Sequence, residues 1–199
     1  MGKQHAARLH VDGRTYEGEA LLETAEILFR GERRLVIPFA QIKSIAAEDG
    51  RLVINGNTVL ELGAEAAKWA EKIRNPKSVI QKLGVKAGQR VSVVHLDDDA
   101  FVADLEKAGC VVSRKAVKNS DAIFYGASSR DDLPRLAALK ASLAQNGAFW
   151  VIRPKGVKTI TEADTMAAGK DAGLVDVKVV KFSETHTAEK FVIRVVDRR

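Results

Sequence analysis

Cysteine is all but missing from this chain of 199 residues. The single Cys110 leaves no internal disulfide to form, and its place in the apolar run GCVV reads as a small buried core residue. No apolar run approaches the roughly 20 residues that a membrane-crossing helix requires. The opening MGKQHAARLHVDG lacks the apolar centre of a secretory signal, and alanine stands where the myristoylation pattern asks for serine or threonine. A cytoplasmic protein with no membrane association is expected. Aromatic residues make up only 6% of the chain and no basic block is interleaved with them, which argues against a nucleic-acid surface. Nor do histidine, cysteine and carboxylate side chains recur at metal-ligand spacing, so no metal site is expected.

What is present is a globular composition, 46% hydrophobic, long enough for one large domain or two small ones. The formal charge of +6 is unevenly spread: residues 1–76 hold eleven Lys or Arg against eleven Asp or Glu, and the remainder holds 21 against 15. The basic residues of the second half are scattered, as on a solvated surface.

The first half is built on turns. VDGRT, RGER, EDGR and NGN each set a glycine beside Asp, Asn or Arg, and the short apolar stretches between them have hairpin spacing. Seven strands are predicted, over 7–11, 15–22, 26–30, 34–38, 42–48, 51–54 and 58–62. In GAEAAKWAEKIRN the period changes: Ala66, Ala67, Trp69, Ala70 and Ile73 recur at helical spacing, and Asn75 with Pro76 closes the run. This order, with Trp69 in the terminal helix, resembles a pleckstrin-homology-type barrel over residues 5–75, in which the last helix plugs an open end. The resemblance implies a scaffold or docking surface whose sheet edge can accept a partner's strand. Lipid-headgroup binding is the alternative, although the first hairpin offers only Arg14 beside Asp12.

NPKSVIQKLGVKAGQR is the seam between a first domain, 1–76, and a second, 77–199, with a short helix predicted over 78–83. Beyond it strands and helices alternate: RVSVVHL, the helix DDAFVADLEKAG, CVVSR, AIFYG, the helix DLPRLAALKASLAQNG, AFWVIRP, the helix TEADTMAAGKDAG, and a terminal hairpin of VDVKVVKFS with AEKFVIRVV. That pattern predicts a mainly parallel sheet covered on both faces. Between CVVSR and AIFYG lie only the seven residues KAVKNSD, whereas a parallel crossover normally takes a dozen or more. At about 3.3 Å each they span roughly 23 Å, enough to return along one strand. A strand and a helix are therefore missing at this point. LAQNGAFWVIRPKG, DAGLVDVKVVKFSETHTAEKFVIRV and the valine-rich first strand resemble the Rossmann-like methyltransferase fold with its reversed last strand. RPKG and KFSETHTAEKF resemble, more narrowly, an uncharacterised bacterial family of truncated methyltransferase-like proteins, over residues 78–196.

The methyltransferase resemblance implies a glycine-rich turn after the first strand, where the ligand lies too close to the backbone for side chains, and a carboxylate after the second that holds the ribose hydroxyls. Neither is here. No glycine occurs between Val91 and Lys107, Asp97, Asp98 and Asp99 occupy the turn, and Ser113 to Lys115 follow the second strand. No cofactor is expected, and S-adenosylmethionine in particular is not expected to bind. Asp98 or Asp99 is placed to cap the following helix. Since ligands of open parallel sheets bind beyond the carboxyl ends of the strands, the candidate ligand-binding residues are Asp97, Asp98, Asp99, Arg153, Lys155 and His186, with Gly126, Ser128, Ser129, Thr185 and Thr187 beside them. Asp98, Arg153 and His186 are expected within reach of one another. No nucleophile is fixed beside His186, so no catalytic residue is assigned. The main expectation is a noncatalytic binding or regulatory protein with a protein partner or a small ligand. The alternative is a group-transfer enzyme with an altered pocket that uses S-adenosylmethionine or another small ligand.

Overall fold

Asp12–Gly13 and Asp49–Gly50 each take positive φ at both positions, as a two-residue hairpin turn requires, and so set the registers Val11 against Arg14 and Glu48 against Arg51. Asn55 and Gly56 do the same in the three-residue turn that follows. The structure, a computed structural model, describes residues 4–198, and contacts divide it into two units between Lys77 and Ser78. The first contains β1 (Gln4–Val11), β2 (Arg14–Leu22), β3 (Glu26–Gly31), β4 (Leu35–Pro38), β5 (Ile45–Glu48), β6 (Arg51–Ile54), β7 (Thr58–Glu61) and α1 (Glu65–Arg74). All the pairings are antiparallel. They form one curled sheet in the order β4-β3-β2-β1-β7-β6-β5, so that β4 and β5 are its edges.

Inward-facing Leu9, Ile27, Phe29, Leu52 and Leu60 make the core of this unit together with Ala66, Trp69 and Ala70 of α1. Trp69 is buried, and the Arg74 guanidinium ties the end of α1 to the Ile45 carbonyl of β5 at 2.7 Å. The strand expected over 42–48 begins only at Ile45. Phe39–Gln41 form a 3-10 turn, and the Asn55 side chain satisfies the backbone of Gln41, Lys43 and Ser44 at 2.7 to 3.1 Å, which leaves that segment no need of a ladder.

The second unit holds α2 (Val79–Leu83), β8 (Arg90–Val94), α3 (Asp99–Lys107), β9 (Val111–Ser113), β10 (Ser120–Gly126), α4 (Arg135–Lys140), β11 (Leu143–Pro154), α5 (Glu162–Asp171), β12 (Leu174–Lys181) and β13 (His186–Ile193). The sheet order is β12-β13-β11-β10-β8-β9. The four strands β9, β8, β10 and β11 are parallel, and β13 runs antiparallel between β11 and β12. Alternation along the strands divides the apolar residues. Phe124, Trp150 and Ile152 share one face with α2 and α3, while Tyr125, Phe149 and Val151 share the other with α4 and α5.

Two features depart from simple periodicity. The helix expected to run up to Gly147 stops at Lys140, and β11 already begins at Leu143. Leu143 is buried opposite Ser120, whose N–H donates to the Ser142 carbonyl at 2.9 Å, so the sheet captures the chain before the helical pattern is used up. The short connection after β9 passes from the sheet edge across β8 to β10 without a helix. A buried polar pair holds it: the Ser92 and Ser120 hydroxyls lie 2.8 Å apart, Val117 N–H donates to Ser92 Oγ at 3.0 Å, and Ser120 Oγ–H donates to the Val117 carbonyl at 2.6 Å. The connection's own backbone thus satisfies the two buried hydroxyls.

Trp69→Ala should cost about 3 to 5 kcal/mol of stability in urea titrations, the range for a large aromatic removed from a core. Ser92→Ala strands the Val117 N–H and one face of the Ser120 hydroxyl, and should cost about 1 to 3 kcal/mol in the same measurement.

Candidate functional site

The segments that leave β8, β9 and β10 come together with Ile152 of β11 and the tip of the β12–β13 hairpin around a cleft of about 680 Å3. Its geometry starts at the end of β8. His95 takes φ +54°, a region that side-chain-bearing residues seldom occupy, and its carbonyl oxygen sits where a Cβ on Gly126 would fall, 2.1 Å away. Gly126 is therefore required by the protein's own backbone. The His95 ring stacks on Tyr125 with 6.0 Å between centroids, its Nδ1 lies 2.9 Å from the Gly126 carbonyl, and the same atom is 3.8 Å from an Asp132 oxygen.

Asp132 is itself held in place. It accepts from the Ser128 and Ser129 N–H groups at 2.8 and 3.0 Å. Burial opposes its ionisation, but these two donors and the neighbouring His95 outweigh burial and keep the carboxyl below its ordinary range. Burial raises the Tyr125 phenol, helped by the Asp132 charge, and its hydroxyl donates to the Asp132 carbonyl at 2.8 Å.

The three aspartates of the β8 turn do different things. Asp98 caps α3, accepting from Phe101 N–H at 2.9 Å. Asp99 pairs with Arg114, which also reaches the Leu96 carbonyl at 3.4 Å. Asp97 is exposed at the cleft wall. On the far wall Ser183 Oγ accepts from the N–H of His186 at 3.0 Å, and the Thr185 hydroxyl lies 2.9 Å from His186 Nδ1. Asp97, Asp98 and His186 thus line one cleft, and Arg114 joins them.

The expected constellation of Asp98, Arg153 and His186 needs correction at its middle member. Arg153 follows Ile152 by one residue and turns to the other face of the sheet. There it donates from Nε to Glu189 at 2.6 Å, and Thr165 of α5 donates to the second Glu189 oxygen. Burial pushes the Glu189 carboxyl up, while Thr165 and Arg153 hold it back. Lys155 is exposed, and its ammonium donates to the Ser183 carbonyl at 2.7 Å, bracing the hairpin from outside the cleft lining. His95 and Asp132 were not singled out from the sequence. The available signal was the position of His95 at the end of the first parallel strand, directly before the acidic turn.

No protein-family model and no curated protein matches this chain. Solved structures do match. They include a TehB-like SAM-dependent methyltransferase from Corynebacterium glutamicum, 12% identical with a TM-score of 0.48 over 65% of this chain and 96% of that one. A SAM-dependent methyltransferase from Aquifex aeolicus is 15% identical with a TM-score of 0.49 over 62% and 93%. A SAM-dependent O-methyltransferase from Thermotoga maritima is 11% identical with a TM-score of 0.45 over 96% and 93%. These structures are described as methyltransferases, the class whose fold the sequence of the second unit resembles. The expectation of a noncatalytic protein gives way to the group-transfer alternative, which is argued below as a proposal.

The residues of this cleft do not fit S-adenosylmethionine in the pose that the resemblance implies. Side chains of His95, Leu96 and Asp97 stand in the turn, the space that Gly126 leaves open is taken by the His95 carbonyl, and Arg114 follows β9 where a ribose-binding carboxylate would be.

Arg153→Ala should cost about 3 to 5 kcal/mol, because it leaves the buried Glu189 without its cation. Urea unfolding checks this. Asp164 is held well below the ordinary aspartate value by the Arg130 guanidinium at 2.9 Å and by Thr161. Its folded pKa is depressed, so the stability it supplies is present above the ordinary value of 3.8 and is lost as pH falls below it. Asp164→Asn should therefore flatten the acid limb of a plot of melting temperature against pH.

Proposed function

We propose that the second unit is a group-transfer enzyme acting on a small ligand in the cleft beyond the carboxyl ends of β8, β10 and β11. The observation that carries this reading is the convergence of imidazole, carboxylate and hydroxyl groups from three separate segments, with the Arg114 guanidinium from a fourth, beside the apolar Ile152 and Phe182. Open parallel sheets bind their ligands at this edge, and about 680 Å3 is within the usual size of a small-molecule pocket. Asp97 and the capping Asp98 disfavour phosphate-bearing ligands at the start of α3.

For the first unit we keep the pleckstrin-homology-type reading, as a scaffold or docking surface. Its support is the order of seven strands and one helix, together with the buried Trp69. The division into working domains at 76/77 and a cytoplasmic setting belong to the same reading. Among the described residues no helix is long and apolar enough to cross a membrane.

A thermal-shift panel of small alcohols, amines, nucleosides, S-adenosylmethionine and ATP, followed by amide-resolved NMR of the stabilising compounds, tests the proposal. Compounds that stabilise the protein should move the amides of Gly126, Ser128 and His186. ATP should move none of them, and S-adenosylmethionine should not bind with micromolar Kd. Stabilising compounds that map only to residues outside the cleft would sink the reading.

A further inference from the structure

His95 belongs to the cleft lining and its ring is held by the Gly126 carbonyl and Tyr125, and we infer that it is the general base of this site, taking a proton at Nε2 from the hydroxyl or amine of a small acceptor. The inference rests on the small-ligand transfer reading above and adds the class of acceptor and the atom that receives its proton.

The assignment of the atom follows from hydrogen-bond chemistry. A carbonyl oxygen only accepts, so the 2.9 Å contact with the Gly126 carbonyl places the hydrogen of the neutral ring on Nδ1. The lone pair is then on Nε2, the atom that can accept a proton. His186 has no such definition, because its Nδ1 faces the Thr185 hydroxyl, which can donate or accept. His10, in the first unit, has both ring nitrogens engaged, with Thr15 at 2.9 Å and Glu61 at 3.0 Å.

Several constraints converge on the orientation of His95. The backbone at 95 is held in the left-handed region, and the near contact of its carbonyl with Gly126 leaves no room for a side chain at 126. The Tyr125 ring supports the imidazole from below and is itself anchored through its hydroxyl. The side chain is 47% exposed and His95 is among the residues that line the cleft, so solvent can reach the ring and reclaim the proton.

Asp132 supplies the charge complement. Its Oδ1 is 3.8 Å from Nδ1, beyond hydrogen-bond distance. The Ser128 and Ser129 amides hold its other oxygen, Oδ2, and the Nδ1 hydrogen goes to the nearer Gly126 carbonyl at 2.9 Å. The step is a proton transfer: the acceptor's O–H or N–H bond breaks, its electron pair stays on the acceptor atom, and a new N–H bond forms at Nε2. The imidazolium then returns the proton to solvent.

The test uses the intact wild-type chain. Side-chain 15N spectra of histidine-labelled protein at a pH where the rings are neutral should show His95 as the Nδ1–H form, with an unprotonated Nε2. Mild treatment with diethyl pyrocarbonate should carbethoxylate His95, located by peptide mass spectrometry, at least tenfold faster than His10. An Nε2–H tautomer, or a His95 that reacts no faster than His10, would overturn the assignment even if ligands are found in the cleft. An Nδ1–H tautomer combined with ligands that map only outside the cleft would instead overturn the transfer reading, and with it any role for the base.

Discussion

The cleft depends on one close approach, that of the His95 carbonyl to Gly126. With the His95 oxygen 2.1 Å from the position of a missing β carbon, no other residue at 126 leaves the β8 turn where it is. From that contact follow the left-handed backbone of His95, the seat of its ring on Tyr125 and the path of Leu96 to Asp98 into α3. In a nucleotide-binding turn, glycines after the first strand let a ligand approach the backbone. Here the glycine is on the neighbouring strand, and what it admits is the protein's own backbone. The close contact at this turn is thus made within the chain, between the end of β8 and the neighbouring strand β10.

The missing strand and helix have a similar resolution. A parallel sheet face left uncovered would expose unsatisfied polar groups and apolar side chains. The chain from Arg114 to Asn119 crosses β8 instead, and the buried hydroxyls of Ser92 and Ser120 tie it down. This short route also decides where Arg114 falls. Because β9 ends at Ser113 and the chain turns back at once, the guanidinium is delivered to the β8–α3 turn, where it meets Asp99. A longer crossover would place no such demand on residue 114.

Local chemistry made much of this architecture legible. Asp-Gly and Asn-Gly pairs between short apolar runs fixed the hairpins of the first unit, and alternating strands and helices with a closing hairpin gave the second. The end of α4 was not legible, since LKASLAQNG suits a helix until Leu143 finds its place opposite Ser120. Arg153 was misplaced for a related reason. The alternation in AFWVIRP shows that Ile152 and Arg153 face opposite ways, but only the packed structure shows that the cleft is on the Ile152 side and α5 on the other. His95 was hidden because its role depends on Gly126, 31 positions away, and no local pattern carries that contact.

The acidic turn looks different once its partners are known. Read as a string, Asp97 to Asp99 are three negative charges filling a ligand's space. In the folded chain Asp99 is neutralised by Arg114, and Asp98 spends one oxygen on the start of α3. One is paired at the surface and the other caps a helix. Asp97 is the exposed carboxylate of the cleft lining, with His95 and His186 also in it. A site with one exposed carboxylate and two imidazoles over apolar side chains is suited to moving protons on a compact, weakly charged molecule. It is poorly suited to gripping a polyphosphate, for which amide-lined turns and fixed cations are required. The chemistry open to this cleft is therefore set less by the number of acidic residues in the turn than by which of them the fold has already used.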